Sequence, residues 1–290
     1  SKDVVRSSEK ARGRMTIKGK TAADRIKIAR GSGRPTAIEY IEYIFDDFFC
    51  LSGDRLHGED ASITGGVAFL NGSAVTVIGH QKGRDLEENV KCRFGMPSPE
   101  GYRKTQRLMK QAEKFNRPVI TFVDTPGAYP GIEAEAGGQG EAIASCIALM
   151  SRLKVPVISV FIGEGGSGGA LALAVADKVI MLENSVFSIL SPEGFSSILW
   201  KDPSRWEEAC SLMKFTAADL KDMGICDKIL PEPEGGAQED RTAVFKIVRS
   251  ELIKTLSELN RESSHKIAEK RYRKLRNMGK INSKRKADMG

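Results

Sequence analysis

VPVISVFIGEGGSGGALALAVA, residues 155–176, sets two apolar runs on either side of a segment, 163–170, in which five of eight residues are glycine. VPVISVFI (155–162) is continuously apolar and rich in β-branched residues. That pattern predicts a strand buried on both faces, as in a parallel sheet. ALALAVADKVIML after the glycines reads as a helix passing into a further strand. A second copy of the arrangement lies upstream. RPVITFVD (117–124) is another buried strand, and TPGAYPG follows it as a loop. The helices PEGYRKTQRLMKQAEKFN and GGQGEAIASCIALMSRLK separate the strands. Helix, strand and loop recur in order, which predicts an α/β fold with both glycine-rich loops at the carboxyl ends of parallel strands, where such sheets collect their ligands.

Outward from this centre, ITGGVAFLNGSAVTVIGHQ reads as a hairpin turning at Asn71-Gly72. TAIEYIEYIFDDFFCL (36–51) has apolar residues at helical spacing behind a capping Thr36. GRDLEENVKCRFGMPSP reads as an irregular connection. Ser191-Pro192-Glu193 starts a further helix, and 215–230 reads as helix, turn and strand. Three segments follow: a basic, partly helical arm over 1–35, a body over 36–240, and a basic helical extension over 241–290.

The 290 residues are 40% hydrophobic and 29% charged, ordinary for a globular protein. No apolar run approaches the roughly 18 residues of a membrane helix, and no export signal opens the chain, so the cytoplasm is the expected compartment. The five cysteines are scattered without CxxC spacing, which predicts neither a disulfide framework nor a metal site. The net charge of +7 is unevenly spread. Residues 1–36 hold 11 Lys and Arg against 3 Asp and Glu, and residues 265–290 hold 10 against 2. The middle is therefore acidic. The ends are expected to dock on that acidic body or on a partner subunit. A nucleic-acid surface is the weaker reading, because no aromatic residues interleave the charges.

Gly165-Gly166-Ser167-Gly168-Gly169 satisfies G-x-S-x-G, a pattern that presents a nucleophilic serine. Such a serine needs a base. The histidines are His57, His80 and His265; only His265 follows the serine, in a charged tail helix where it reads as a solvated surface residue, and Lys178 and Lys201 are the lysines left for a Ser–Lys dyad. A phosphate-binding loop is excluded because no Gly-Lys-Ser/Thr follows. A dinucleotide fingerprint would need Glu183 in a role it fits badly. The alternative is that the glycines are the point. Glycines at a helix start let an oxygen approach N–H groups that have no partner inside the helix, and the helix dipole adds to their pull on negative charge.

Several long stretches together carry a resemblance: ASITGGVAFLNGSAVTVIGHQKGR, FGMPSPEGYRKTQRLMKQAEKFNRPVITFVDTPGAYPG, GQGEAIA, SRLKVPVISVFIGEGGSGGALALAVADKVIMLENSVFSILSPEGFSSILWKD and RYRKLRNMG. In these the chain resembles the carboxyltransferase alpha subunit of bacterial-type acetyl-CoA carboxylase, over roughly residues 34 to 280. The resemblance implies a crotonase-like fold, a spiral of repeated ββα units. It implies transfer of a carboxyl group from carboxybiotin, borne by a separate carrier protein, to acetyl-CoA, giving malonyl-CoA. It implies a pair of backbone N–H groups that hold the ureido oxygen of biotin, falling on Gly168 and Gly169, with Gly165 and Gly166 shaping the same loop and standing as the alternative pair. Gly127, Ala128 and Tyr129 are expected to line the biotin pocket, with the N–H of Gly127 or Ala128 as a possible further donor. Asp124 is expected to fix its loop. His80, Lys82, Arg84 and Arg93 remain open between ligand contact and structure.

The implied partners are a beta subunit bearing a zinc ribbon, in an alpha2beta2 assembly, the biotin carboxyl carrier protein, and biotin carboxylase in the larger complex. This chain lacks the CxxC…CxxC ribbon, so it is expected to be half of an active site and to hold no metal. It also has glycine at 137, where the family usually has arginine, which predicts a missing salt bridge at the pocket rim. A crotonase-fold acyl-CoA hydratase or isomerase is the competing enzyme class, and it would need Glu135, Glu141 or Glu164 beside the glycine loop.

Overall fold

The computed structural model describes residues 19–279. β1 (Asp46–Cys50), β2 (Ile63–Leu70) and β3 (Ser73–His80) form an antiparallel meander. The Asn71-Gly72 turn joins β2 to β3 as expected, both residues at positive φ. β4 (Val119–Thr125) then joins β3 in parallel. β5 (Val157–Gly166), β6 (Lys178–Leu182) and β8 (Lys228–Leu230) extend the sheet in the order β4-β5-β6-β8, all parallel.

β5 is ten residues long and serves two neighbours along one edge. Ile158–Phe161 pair with β6, and Glu164–Gly166 pair with β7 (Val186–Ser188). On its other edge the register against β4 slips between Val123 and Thr125. The far end of β5 therefore leaves the plane set by its first half.

Side chains of the central strands alternate between two cores, as period-2 geometry requires. Val119 and Val123 of β4, with Val157 and Phe161 of β5, face α4 (Pro99–Lys114) and α6 (Gln139–Arg152). Ile120 and Phe122, with Ile158 and Val160, face α2 (Ala37–Ile44) and α11 (Arg241–Leu259). Tyr40 of α2 lies between two rings there, 5.6 Å from Phe122 and 4.7 Å from Phe245. All of these strand residues are fully buried, so burial of apolar surface is the main source of their stability.

Three expectations are corrected. The helix over 36–51 ends at Ile44, and 46–50 is β1, because FDDFFC pairs with the edge of β2. The connection after β3 contains a short helix, α3 (Leu86–Lys91), capped by Asp85. The helix after the glycines, α7 (Ser167–Leu171), is only five residues long and reaches β6 through turns.

The basic ends dock on the acidic body within the described residues. The arm helix α1 (Ala22–Ala29) starts at a Thr21–Asp24 capping box. Its Arg25 is buried and donates to the Glu183 carbonyl at 2.8 Å and to Asn184 Oδ1 at 3.1 Å. Arg34 donates to the Ile162 carbonyl and pairs with Glu232. At the other end Arg271, on α12 (Ser264–Asn277), is fully buried. It grips Asp177 through Nε and Nη2 at 3.0 and 2.6 Å and donates to the carbonyls of Met150, Leu153 and Val155. The parts of the two extensions at 1–18 and 280–290 lie outside the described residues.

Two stability predictions follow from these buried polar groups. Arg271→Ala leaves Asp177 and three carbonyls without their donor and should cost about 3–5 kcal/mol in urea unfolding. Arg273→Ala, which removes only an exposed pair with Glu269, should cost less than about 0.5 kcal/mol. His80 is fully buried at the end of β3, and burial pulls its pKa down to about 3. As pH falls, the unfolded chain protonates this ring near 6.5 while the folded chain does not until about 3, so stability is lost with acid across that window and is intact above it. His80→Gln should shrink the loss of stability between pH 7 and pH 5 by about 2 kcal/mol, measured by urea unfolding at the two pH values.

Candidate functional site

The two glycine-rich loops leave the adjacent strands β4 and β5 and cross each other backbone to backbone. A β-carbon on Gly166 would run into the Pro126 carbonyl. One on Gly169 would sit 2.6 Å from the Ala128 nitrogen and 2.9 Å from the Tyr102 hydroxyl. Only glycine permits these approaches. Gly168 is different: a β-carbon there would meet Ile143 Cγ2 at 3.5 Å, an ordinary contact.

The crossing forms one wall of a cavity of about 470 Å³. Gly165, Gly166, Gly168 and Gly169 line it from the β5 side, and Gly127 and Ala128 from the β4 side. α7 begins at Ser167, so the N–H groups of Gly168 and Gly169 belong to its first turn, which has no earlier helical carbonyls to bond. Gly168 is half-buried and Gly169 buried. The helix is short, so its dipole adds little. The local N–H groups themselves are the electropositive feature.

Not every expected residue meets at this wall. Tyr129 is not among the lining residues. Its ring stacks under the Arg93 guanidinium at 5.2 Å, and a hydrogen bond to Glu133 raises its phenol pKa. The Gly127 N–H, considered as a further donor, is already engaged with Thr125 Oγ1 at 3.1 Å, because the Pro126-Gly127 turn folds back on that hydroxyl. Arg93 also reaches Asp60 at 3.2 Å, and Arg84 pairs with Glu88 on the surface of α3; neither lines the cavity. His80 faces the Gly169 carbonyl from behind and is held neutral by burial. Ser167 is exposed, at φ +52°, and no hydrogen bond joins its hydroxyl to a histidine or lysine among the described residues.

Asp124 fixes its loop, as expected. Its Oδ1 accepts from the Glu164 N–H at 2.9 Å and from Lys82 Nζ at 2.7 Å. Lys82 therefore sits inside an ion cluster. Burial lowers its pKa, but Asp124 and Glu164 outweigh that and hold it above the ordinary lysine value. Burial likewise raises Glu164, and Lys82 and Arg30 outweigh it, so the carboxyl stays below its usual range. Of the three glutamates considered for a hydratase, only Glu164 reaches the cavity. Glu135 and Glu141 are exposed and do not line it.

At Gly137, where an arginine was expected to be missed, the chain supplies one from elsewhere. Arg103 of α4 donates to the Gly137 carbonyl at 3.1 Å and pairs with Asp54 and Glu100. Sequence reasoning missed the part of the lining next to the glycines, Ser188–Pro192, and Ile26 and Arg30 from the arm. The SPE cap of α8 (Pro192–Trp200) was legible, and Ser191 does accept from the Gly194 N–H at 3.1 Å. Nothing in the spacing indicated that it would face the glycine loop.

Comparison with known proteins gives a consistent result. A family model described as acetyl co-enzyme A carboxylase carboxyltransferase-like matches residues 3–279. The acetyl-coenzyme A carboxylase carboxyl transferase subunit alpha of Clostridium acetobutylicum is 61% identical over 261 residues, covering 90% of this chain and 95% of that protein. A Natranaerobius thermophilus protein named for subunits beta/alpha together is 57% identical over 268 residues, and this chain spans 44% of its length. A solved Pseudomonas malonate decarboxylase hetero-tetramer in complex with coenzyme A superposes with a TM-score of 0.63 over 80% of this chain and 90% of that one. At 19% identity that likeness speaks for the fold alone, and the fold is the crotonase-like one expected. By family model and by identity alike, the chain belongs to the acetyl-CoA carboxylase carboxyltransferase family, on its alpha-subunit side.

Proposed function

We propose that this chain is the alpha half of a biotin-dependent carboxyltransferase which, with a beta subunit, moves a carboxyl group from carboxybiotin on a carrier protein to acetyl-CoA and so makes malonyl-CoA. The observation that carries the reading is the pair of first-turn N–H groups at Gly168 and Gly169, set on a cavity wall where β-carbons are excluded at Gly166 and Gly169. That arrangement fits the ureido oxygen of biotin, a planar acceptor that needs close, unobstructed donors.

Carboxybiotin supplies an activated carboxyl group and, once that group has left, a basic nitrogen. The chain's residues do the rest of the work on this side. The N–H groups of Gly168 and Gly169 receive the charge that develops on the ureido oxygen. They are fixed before the reaction and need not reorganise. Gly165 and Gly166 let the loop pass the Pro126–Ala128 segment closely enough to aim those donors. Gly127 and Ala128 close the pocket beside them, and Tyr129 buttresses the outer side of that loop through Arg93. Ile143 and Leu190 contribute apolar surface that keeps water from competing for the donors. No side chain in this half is needed as a nucleophile, which fits an unpaired Ser167 and a neutral, buried His80.

The N–H pair at Gly168 and Gly169 serves the biotin end. The thioester end is left to the beta subunit, whose pairing with an alpha segment is suggested by the relatives named for both subunits. The wider assembly, with an alpha2beta2 core, carrier protein and biotin carboxylase, belongs to the same proposal. A hydratase reading is less well supported, because both oxygens of Glu164 are committed to cations.

Assays of malonyl-CoA-dependent carboxylation of biocytin test this reading. Gly169→Val in the assembled complex should lower kcat by about 10²–10³, since its side chain would occupy the crossing. Ser167→Ala should retain most activity. Loss of turnover in Ser167→Ala with assembly intact would restore the serine hypothesis. The isolated chain should be inactive until the beta subunit is added, and carboxylation of biocytin by this chain alone would overturn the shared-site reading. Hydration of crotonyl-CoA by the isolated chain would favour the hydratase instead.

A further inference from the structure

An alternating ladder of five charges, two of which line the cavity, runs Asp124, Lys82, Glu164, Arg30, Glu193. Lys82 reaches Asp124 at 2.7 Å and Glu164 at 3.3 Å. Arg30 holds Glu164 Oε1 through Nε at 2.7 Å and Glu193 Oε1 through Nη1 at 2.6 Å, with Nη2 at 3.4 Å from Glu193 Oε2. The members come from five separate places: the end of β4, the turn after β3, the end of β5, the C-terminus of arm helix α1, and the first turn of α8.

The sequence positions of the two glutamates give the ladder its meaning. Glu164 immediately precedes Gly165–Gly169, the glycine wall. Glu193 immediately follows Ser188–Pro192, the wall that continues from β7, whose Ser188 pairs with Gly166. Arg30 thus grips one carboxylate at the root of each wall and itself lines the cavity. From this geometry we infer that Arg30 is a positioning residue: its guanidinium is a strut that fixes the segment after β7, Ile189–Pro192, against the glycine loop beyond the last β5–β7 pair, and so aims the Gly168 and Gly169 N–H groups. The inference rests on the carboxyltransfer reading of the cavity.

The residue type suits the task. A guanidinium presents donors along two edges of a rigid plane and can serve two carboxylates at once. An ammonium is a single point on a flexible stem. Arg30 and Glu193 are partly exposed, 33% and 40% for the side chains, and exposed pairs add little to global stability. A displaced donor, by contrast, is expensive in rate, since a misplacement of about 1 Å can cost about 10²-fold. The strut should therefore show in kinetics more than in unfolding.

The test uses the complex of this chain with its beta subunit, with biocytin and malonyl-CoA as substrates. Arg30→Met should lower kcat/KM for biocytin by about ten- to a hundredfold while the KM for malonyl-CoA stays within about twofold and the thermal midpoint changes little. Arg30→Lys keeps the charge and loses the fork, and should recover only part of the rate. Arg241→Met, which removes a comparable ion pair with Glu39 away from the cavity, should leave both substrates' constants unchanged. Wild-type kinetics in Arg30→Met, full recovery in Arg30→Lys, or an equal rise in both KM values would each overturn the strut. Wild-type turnover in Gly169→Val would withdraw the carboxyltransfer reading of the cavity and the strut with it. An inert Arg30→Met beside a dead Gly169→Val removes the strut alone.

Discussion

The crossing of two backbones, Gly166 over Pro126 and Gly169 over Ala128, is the constraint on which the rest depends. It is possible because β4 and β5 are adjacent and parallel, so both chains emerge at the same edge of the sheet. It is forced close because the register slip after Val123 brings Thr125 opposite Gly165 rather than leaving the strand ends splayed. The crossing in turn sets the start of α7, since the chain reverses at Ser167 with φ at +52°, a conformation that costs a non-glycine residue on the order of 1 kcal/mol or more.

Behind the crossing lies an unusual floor. His80 and Tyr102 are both fully buried there, and neither the ring nitrogens of His80 nor the Tyr102 hydroxyl has a hydrogen-bond partner of good geometry among the described residues. Buried polar groups of this kind are costly to leave unmet. The Tyr102 hydroxyl lies where a β-carbon on Gly169 would approach it to 2.9 Å, and His80 faces the Gly169 carbonyl. Both side chains therefore lie against Gly169, one of the two glycines proposed to hold the ureido oxygen.

The sequence made the sheet's centre legible because its signals are local. Continuous apolar runs, an Asn-Gly turn and glycines at a helix start each report the geometry of their own neighbourhood. Family resemblance then supplied the spiral, which periodicity alone did not contain. The parts that stayed hidden depend on contacts distant in sequence. β1 merged into the preceding helix pattern because Phe45, Phe48 and Phe49 keep the apolar rhythm, and only pairing with β2 separates strand from helix. β7 is three residues long and exists because β5 outruns β6. Arg30 and Glu193 are 163 residues apart, and no spacing rule connects them. The substitution at Gly137 reads in the sequence as a lost arginine; the fold shows Arg103 arriving from another helix to bond the same peptide.

The charge asymmetry is best understood from the same long-range contacts. A chain whose two ends are each strongly basic invites a search for an acidic partner outside it. Arg25, Arg34 and Arg271 are instead among its most buried charged groups, each bonded to backbone carbonyls as well as to carboxylates. A buried guanidinium that serves carbonyls cannot be exchanged for lysine without leaving acceptors unmet. The basic ends therefore act as clasps whose teeth are arginines. The C-terminal clasp closes on the N-terminal ends of β5 and β6 at Asp177. The N-terminal clasp closes on the cavity, with Arg25 and Arg34 holding the arm in place and Arg30, between them, reaching the two walls. The acidity of the body is then partly the imprint of its own ends, and the arm belongs to the cavity as much as the glycines do.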